Sequence, residues 1–318
     1  VSIEIRPITW FDWPYIYKHR SKLESLDNVL ALTCGQPLSW TSLLASFRSV
    51  DHVFTGMYES DDDARSWLGQ IHQPPRLDSV HINYLLPPID GGPQELLPLL
   101  EGLIAEAGHW GAKQILADLE LDSMLFSQFR KAGFSVLAKQ RVFKFQGTNI
   151  TSPELMGKWR LWNSADIPAV RTLYSALVPP LIQPIEPLTR LEMLGMIYDD
   201  GSGELQAYAD MVYGPVGAWV LPFIHPQAVE NTADLIAQLL QNLPDLAGRP
   251  VYMTARSYQP WIENALENLS GEAGPEQAVM VRYLAIRQRV HADLPFASLE
   301  NGKPEPTAPL TPIQGHQE

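Results

Sequence analysis

Apolar and polar residues along this chain change rhythm in the same order twice. Near the start, Ile3-Glu4-Ile5-Arg6-Pro7-Ile8 alternates as a strand does, and Thr9 or Asp12 then offers a cap for a helix. Extended runs follow at 52–58, 66–72 and 79–86, divided by turn-rich pieces such as Ser60-Asp61-Asp62-Asp63. The period lengthens at 95–110, where Leu96, Leu99, Leu100, Leu103, Ile104 and Ala107 fall on one helical face. A strand at 114–119, a short helix at 123–131 that Gly133 suits as a terminator, and a strand at 134–145 complete the first half.

The second half repeats that order. Trp159-Arg160-Leu161-Trp162 reads as a strand; Asn163, Ser164 and Asp166 are caps for a helix carrying Ile167, Val170, Leu173, Tyr174 and Leu177. Extended runs at 193–198, 204–213 and 218–224 lead to a helix at 229–243, a strand at 251–255, a helix at 260–269 and a last strand at 278–287. Arg6, Asp12 and Pro14 recur as Arg160, Asp166 and Pro168, each 154 residues further on. Both halves therefore predict an α+β domain in which a meander of strands precedes the long helix and the sheet is mixed, mostly antiparallel. The Gly, Asn, Thr, Ser and Pro residues of 147–157 mark the boundary, giving domains at 1–147 and 158–290. The proline-interrupted polar stretch at 291–318 is expected to be largely disordered.

Composition narrows the function. A chain of 318 residues, 45% of them hydrophobic, has material for two cores. Its 23 Lys and Arg against 36 Asp and Glu leave a net charge of −13, which opposes nucleic acid and anionic membranes while still permitting one anion at a local site. A single cysteine, Cys34, excludes an internal disulfide and a paired-cysteine metal site. The opening residues lack the basic and apolar regions of a leader, and no stretch reaches the roughly 18 apolar residues of a membrane span, so a cytoplasmic protein is expected.

The element order, twice over, resembles the GCN5-related N-acetyltransferase (GNAT) family in tandem. Ile5-Arg6-Pro7-Ile8 with Asp12 is similar to that family's first strand and helix, and Leu85-Leu86-Pro87 to its central strand and acyl-CoA loop. Phe129-Arg130-Lys131-Ala132-Gly133-Phe134 stands where members often read Tyr-Glu-Lys-Leu-Gly-Phe, and Leu266-Glu267-Asn268-Leu269-Ser270-Gly271 is a fainter echo. The resemblance implies acetyl transfer from acetyl-CoA to a small-molecule amine. That chemistry needs a splayed central strand whose N–H polarises the thioester, a glycine-rich loop aimed at the pyrophosphate, a base for the amine and an acid for the thiolate. It places Leu85, Leu86, Gly91, Gly92 and Gln94 at the cofactor, His81 and Glu120 as bases, and Tyr84 as the acid.

Several residues oppose that chemistry. In the loop of the first half, Asp90, Pro93 and Glu95 fall at the family's marked positions; in the second half His225, Ala228 and Glu230 do. Proline offers no N–H, and Glu95 or Glu230 in a first helical turn already satisfies the helix dipole. Phe129 and Leu266 replace the tyrosine that protonates the thiolate. Tyr84 and Tyr258 also read as packing residues, His81 beside Asn83 as a hydrogen-bonded strand residue, and His225-Pro226 as a turn. Asp61-Asp62-Asp63 and Asp199-Asp200-Gly201 read as solvated turns rather than calcium loops. Two functions remain: an acyl-CoA-dependent N-acyltransferase whose active cleft lies in the first half, or a catalytically degenerate tandem module that binds a small molecule or a protein.

Overall fold

In the computed structural model, residues 5–35, 52–59, 66–75, 77–87, 96–146, 155–188, 195–244 and 246–284 are described. The repeated Arg/Asp/Pro triplet is a clasp. The Arg6 guanidinium donates to both carboxylate oxygens of Asp12 at 2.8 Å, and Arg160 does the same to Asp166 at 2.8 and 2.9 Å. Each carboxylate also accepts a backbone N–H from the turn before the helix, from Thr9 at 2.7 Å and Asn163 at 2.8 Å. Each arginine holds a second acid on the neighbouring hairpin, Glu59 or Asp199. Pro14 and Pro168 then sit in the first helical turn, where a missing N–H costs nothing.

The first half runs β1 (Arg6–Pro7), α1 (Trp13–His19), β2 (Glu24–Ser25), α2 (Asn28–Cys34), β3 (His52–Glu59), β4 (Ser66–Gln73), β5 (Ser79–Leu86), α3 (Leu96–His109), β6 (Gln114–Glu120), α4 (Met124–Lys131) and β7 (Ser135–Phe145). The second runs β8 (Lys158–Leu161), α5 (Ile167–Leu177), β9 (Gly195–Asp199), β10 (Ala207–Tyr213), β11 (Ala218–Ile224), α6 (Thr232–Asn242), β12 (Val251–Arg256), α7 (Pro260–Asn268) and β13 (Glu272–Tyr283). The order matches the reading above, with β2 and α2 as additions. The last strand begins six residues sooner than its alternation indicates, because ladder irregularities between Ala273 and Glu276 accommodate Gly274 and Pro275 against β7.

All thirteen strands among the described residues form one sheet, ordered β1-β3-β4-β5-β6-β13-β7-β12-β11-β10-β9-β8, with β2 attached to β5. The final strands are exchanged between the halves: β13 pairs with β6 of the first half, and β7 pairs with β12 of the second. Residues 1–286 accordingly form one compact unit. Against the first half α3 buries Leu96, Leu99, Leu100, Leu103, Ile104 and Ala107; against the second α6 buries Leu235, Ile236, Leu239 and Leu240. Gly69 on β4 makes the first contact possible, since a Cβ there would stand 2.8 Å from Leu103 Cδ1.

The two parallel pairs carry the expected splay. β5 and β6 are paired only at Ser79↔Gln114, Val80↔Ile115 and His81↔Leu116, and β11 and β12 only at Ala218↔Val251, Trp219↔Tyr252 and Val220↔Met253. Beyond three residues the strands part in both halves. In the first, the opening coincides with a register shift that leaves Asn83 as an extra residue on β5.

Candidate functional site

A strand that parts from its neighbour leaves backbone N–H and C=O groups that something must satisfy. In the first half the chain itself does so. Glu24 and Ser25 pair antiparallel with Leu85 and Tyr84 on the free edge of β5. The next residue spans the gap: Leu26 N–H donates to Asn83 O at 2.9 Å, and Leu26 O accepts from Asp118 N on β6 at 2.8 Å. Leu26 is buried with the α3 core. Asp27 then caps α2, accepting from Leu30 N at 2.9 Å, and Asn28 N donates to Asp118 Oδ2 at 3.1 Å. The Asp118 carboxyl is pushed up to about 7, by desolvation first, against which the Arg256 charge works; Asp27 adds to the rise.

The positions named for catalysis lie around this filled gap. His81 Nδ1 stands 3.6 Å from Asp27 Oδ2, and its ring lies 5.5 Å from that of His72, which in turn bonds Asn83. Tyr84 is buried among Ile16, Met57, Leu68 and Leu86, with its hydroxyl on Thr55; burial lifts that hydroxyl far above the usual phenol range. Glu120 is exposed at the end of β6, where its charge joins desolvation in raising the Glu24 carboxyl. Leu85 and Leu86 are fully buried, and Leu85 faces Glu24 across the ladder. Gly91, Gly92 and Gln94, like Asp90, Pro93 and Glu95, lie outside the described residues. Phe129 packs in the core at 4.9 Å from Phe134, and Leu266 is equally buried.

The second gap is sealed by side chains. Gln259, wholly buried, accepts from Ile224 N at 3.0 Å and donates to Pro222 O at 3.1 Å, so its carboxamide stands in for a strand along β11. Trp261 Nε1 donates to Ile224 O at 3.2 Å. His225 Nδ1 accepts from Gln227 N at 3.2 Å, which makes it the cap of the turn before α6.

On the α5 face of β11 lies a small cavity with a mixed wall, apolar at Leu188, Leu221 and Phe223 and polar at Glu186, Asp210 and Arg256. Arg256 is 7% exposed and its Nη2 donates to Glu186 Oε1 at 2.5 Å. Tyr174 donates its hydroxyl to Glu186 O at 2.5 Å, and Tyr208 to Asp210 Oδ1. Arg256 Nε and Nη1 and the nearby Tyr258 hydroxyl are buried without hydrogen-bond partners. Burial and the Glu186 charge together hold the Tyr258 proton far above the usual phenol range. Arg256 and Glu186 escape sequence reasoning because a charged residue beside Ser257 or Pro187 reads as solvated, and Asp210 because one acid within an extended run carries no spacing signal. Among the described residues no three His, Cys, Asp or Glu side chains are grouped to hold a metal ion, and no helix is long and apolar enough to cross a membrane.

Solved structures share this architecture. A GCN5-related N-acetyltransferase from Sphaerobacter thermophilus superimposes with a TM-score of 0.53 at 10% identity, covering 88% of this chain and 95% of its own. A functionally unknown conserved protein from Staphylococcus epidermidis ATCC 12228 also gives 0.53, at 9% identity, covering 72% of this chain and 95% of its own. No family model and no curated protein matches the sequence. The chain thus has a GNAT-like α+β fold, built twice.

Proposed function

We propose that this chain is a tandem GNAT-fold binding module in which neither half uses acyl-CoA. The observation that carries the reading is the Glu24–Leu26 segment lying in the first gap and holding the backbone of both strands that flank it. An acyl-CoA arm docks in a splayed sheet by bonding to that free edge. Here it would have to displace bonds already made, so the exchange yields little net free energy. Gln259 and Trp261 on the second gap, and Phe129 and Leu266 where a proton donor is needed, support the same reading. The lone Cys34 suits a reducing, cytoplasmic setting.

The competing reading is acetyl transfer from acetyl-CoA to an amine in the first half. His81 or Glu120 would take the amine proton and Tyr84 would return one to the thiolate. It requires residues 24–27 to leave the gap and Tyr84 to turn out of its apolar cluster. A melting experiment on the full chain separates the two. A ligand at about 100 times its Kd adds about 2.7 kcal/mol, or about 4–5 °C for a chain of this size. Saturating acetyl-CoA is expected to leave the melting temperature unmoved; a saturable rise of that size overturns the proposal.

A further inference from the structure

We infer that the exposed face of α1 and its flanking turns is a docking surface for an acidic, apolar-rich segment of a partner protein. Phe11, Pro14, Lys18 and Lys22 follow one another at three- or four-residue spacing and so share one side, with Trp10 and Tyr17 beside them. All six are exposed, Trp10 at 79%, Phe11 at 93% and Tyr17 at 56%. Ile16 turns the other way, into the cluster of Met57, Leu68, Tyr84 and Leu86, and that contact anchors the helix. Large rings grouped in water beside basic side chains are the composition of a contact surface, where Trp, Tyr and Arg carry most of the binding energy.

Charge selects the partner. Lys18, Arg20 and Lys22, with His19 among them, fall within five positions of a chain whose net charge is −13. Elsewhere closely spaced basic residues are matched: Lys139 by Glu276, Arg141 by Glu263 and Lys144 by Glu272. Lys18 and Lys22 have no carboxylate partner among the described residues, and the Arg20 guanidinium lies over the Tyr17 ring, 4.3 Å from its centroid. Asp12, the one acid between 10 and 22, is held by Arg6. The stripe is therefore a local positive field around apolar groups on an acidic protein. An anionic bilayer or a nucleic-acid backbone brings its charge against the flanking acidic surface as well. A short acidic segment meets the stripe alone, since charges beyond about 8–10 Å are screened at physiological salt. The three rings offer on the order of 500 Å², less than the roughly 800 Å² per partner of a standard interface, so the contact is a weak and transient one. This inference goes beyond the binding-module reading and stands without it, because the stripe shares no residue with either gap.

The test follows the fluorescence anisotropy of a labelled peptide of about ten residues, made of Glu, Leu and Phe, as the full chain is titrated to about 1 mM. Saturation is expected with a Kd of about 10–200 µM, in keeping with the small area. The same peptide with Gln for Glu, or with Ser for Leu and Phe, is expected to bind at least about tenfold more weakly. Phe11→Ser, and Lys18→Glu combined with Lys22→Glu, are each expected to weaken binding about fivefold or more. Lys131→Glu, equally exposed but on α4, is expected to change it less than about twofold. Absence of saturation, equal binding of the Gln peptide, or indifference to both stripe variants overturns the inference. So does tighter binding to vesicles of phosphatidylserine and phosphatidylcholine, or a dimer of the chain alone that Phe11→Ser dissociates. If a stripe variant does not fold, the peptide comparison on the unaltered chain still decides it.

Discussion

Gln259→Ala is the sharpest perturbation of the reasoning about the second gap. The side chain is wholly buried, and it is the hydrogen-bond partner of Ile224 N and Pro222 O. Its removal orphans one buried donor and one buried acceptor. Each costs roughly 1–3 kcal/mol, hence roughly 2–6 kcal/mol together, with water entering the vacated space pulling the value to the lower half. A loss of about 3 kcal/mol is expected in urea unfolding, or about 5 °C in melting temperature. Gln259→Glu adds a sign. A neutral carboxylic acid has one acceptor and one donor, as the carboxamide has, and so serves both backbone groups; the ionised form cannot donate to Pro222. Burial raises the folded pKa of such an acid above its unfolded value of about 4.3, so the variant keeps its stability below that value and loses it as pH rises. A Gln259→Ala loss under about 1 kcal/mol, or a Gln259→Glu deficit that shrinks with rising pH, would refute the assignment of Gln259 as a strand substitute.

Three further predictions test other parts. The Asp118 carboxyl is raised to about 7, so the folded chain keeps a proton that the unfolded chain has released above about 4; stability should fall across that interval, and Asp118→Asn should flatten the slope in pH-dependent urea unfolding. Asp12 and Asp166 are held below the usual carboxylate range, first by Arg6 and Arg160, so their contribution is present above about 4 and lost as pH falls through the depressed values. Asp12→Asn and Asp166→Asn should each cost about 1–2 kcal/mol near neutrality, discounted for the solvent around each arginine, and should add because β1 and β8 end opposite edges of the sheet. Tyr258→Phe deletes a buried hydroxyl that has no partner and should be neutral or stabilising by up to about 1 kcal/mol in the same assay; a loss above about 1 kcal/mol would expose a bond missed at that oxygen.

Periodicity made most elements readable, because α3 and β5 bury what their spacing says they should: β5 runs over Ser79–Leu86 as its extended pattern indicates. The duplicated triplet was readable too, though only geometry reveals it as a clasp between each first strand, first helix and hairpin. Strand exchange was not legible, since β7 and β13 alternate in the same way whichever strand they sit beside. The filled gap was hidden for a similar reason. Glu24-Ser25-Leu26 is three residues between two helices, too short for any period, and its role comes from contacts with residues about 60 and 90 positions away. Gln259 carries no sequence signal beyond preceding Pro260, although a glutamine there is just long enough to bridge Pro222 and Ile224.

The two gaps are closed by unlike means, backbone in one and carboxamide and indole in the other, and that difference bears on function. A splayed sheet always owes its strand edge hydrogen bonds, and an enzyme lets water hold them until a cofactor arrives. When the protein holds them, a cofactor gains only the difference between two similar sets of bonds and must also pay for moving the occupant. The exchanged strands raise that cost further. Widening the first gap means moving β6, but β6 is paired along its whole length, from Gln114 to Glu120, with β13. β13 is in turn paired with β7, and β7 along six residues with β12, the outer wall of the second gap. Opening either gap therefore strains the ladder that frames the other. A single-copy splayed sheet lacks this coupling, because the strand beyond its gap answers only to its own half.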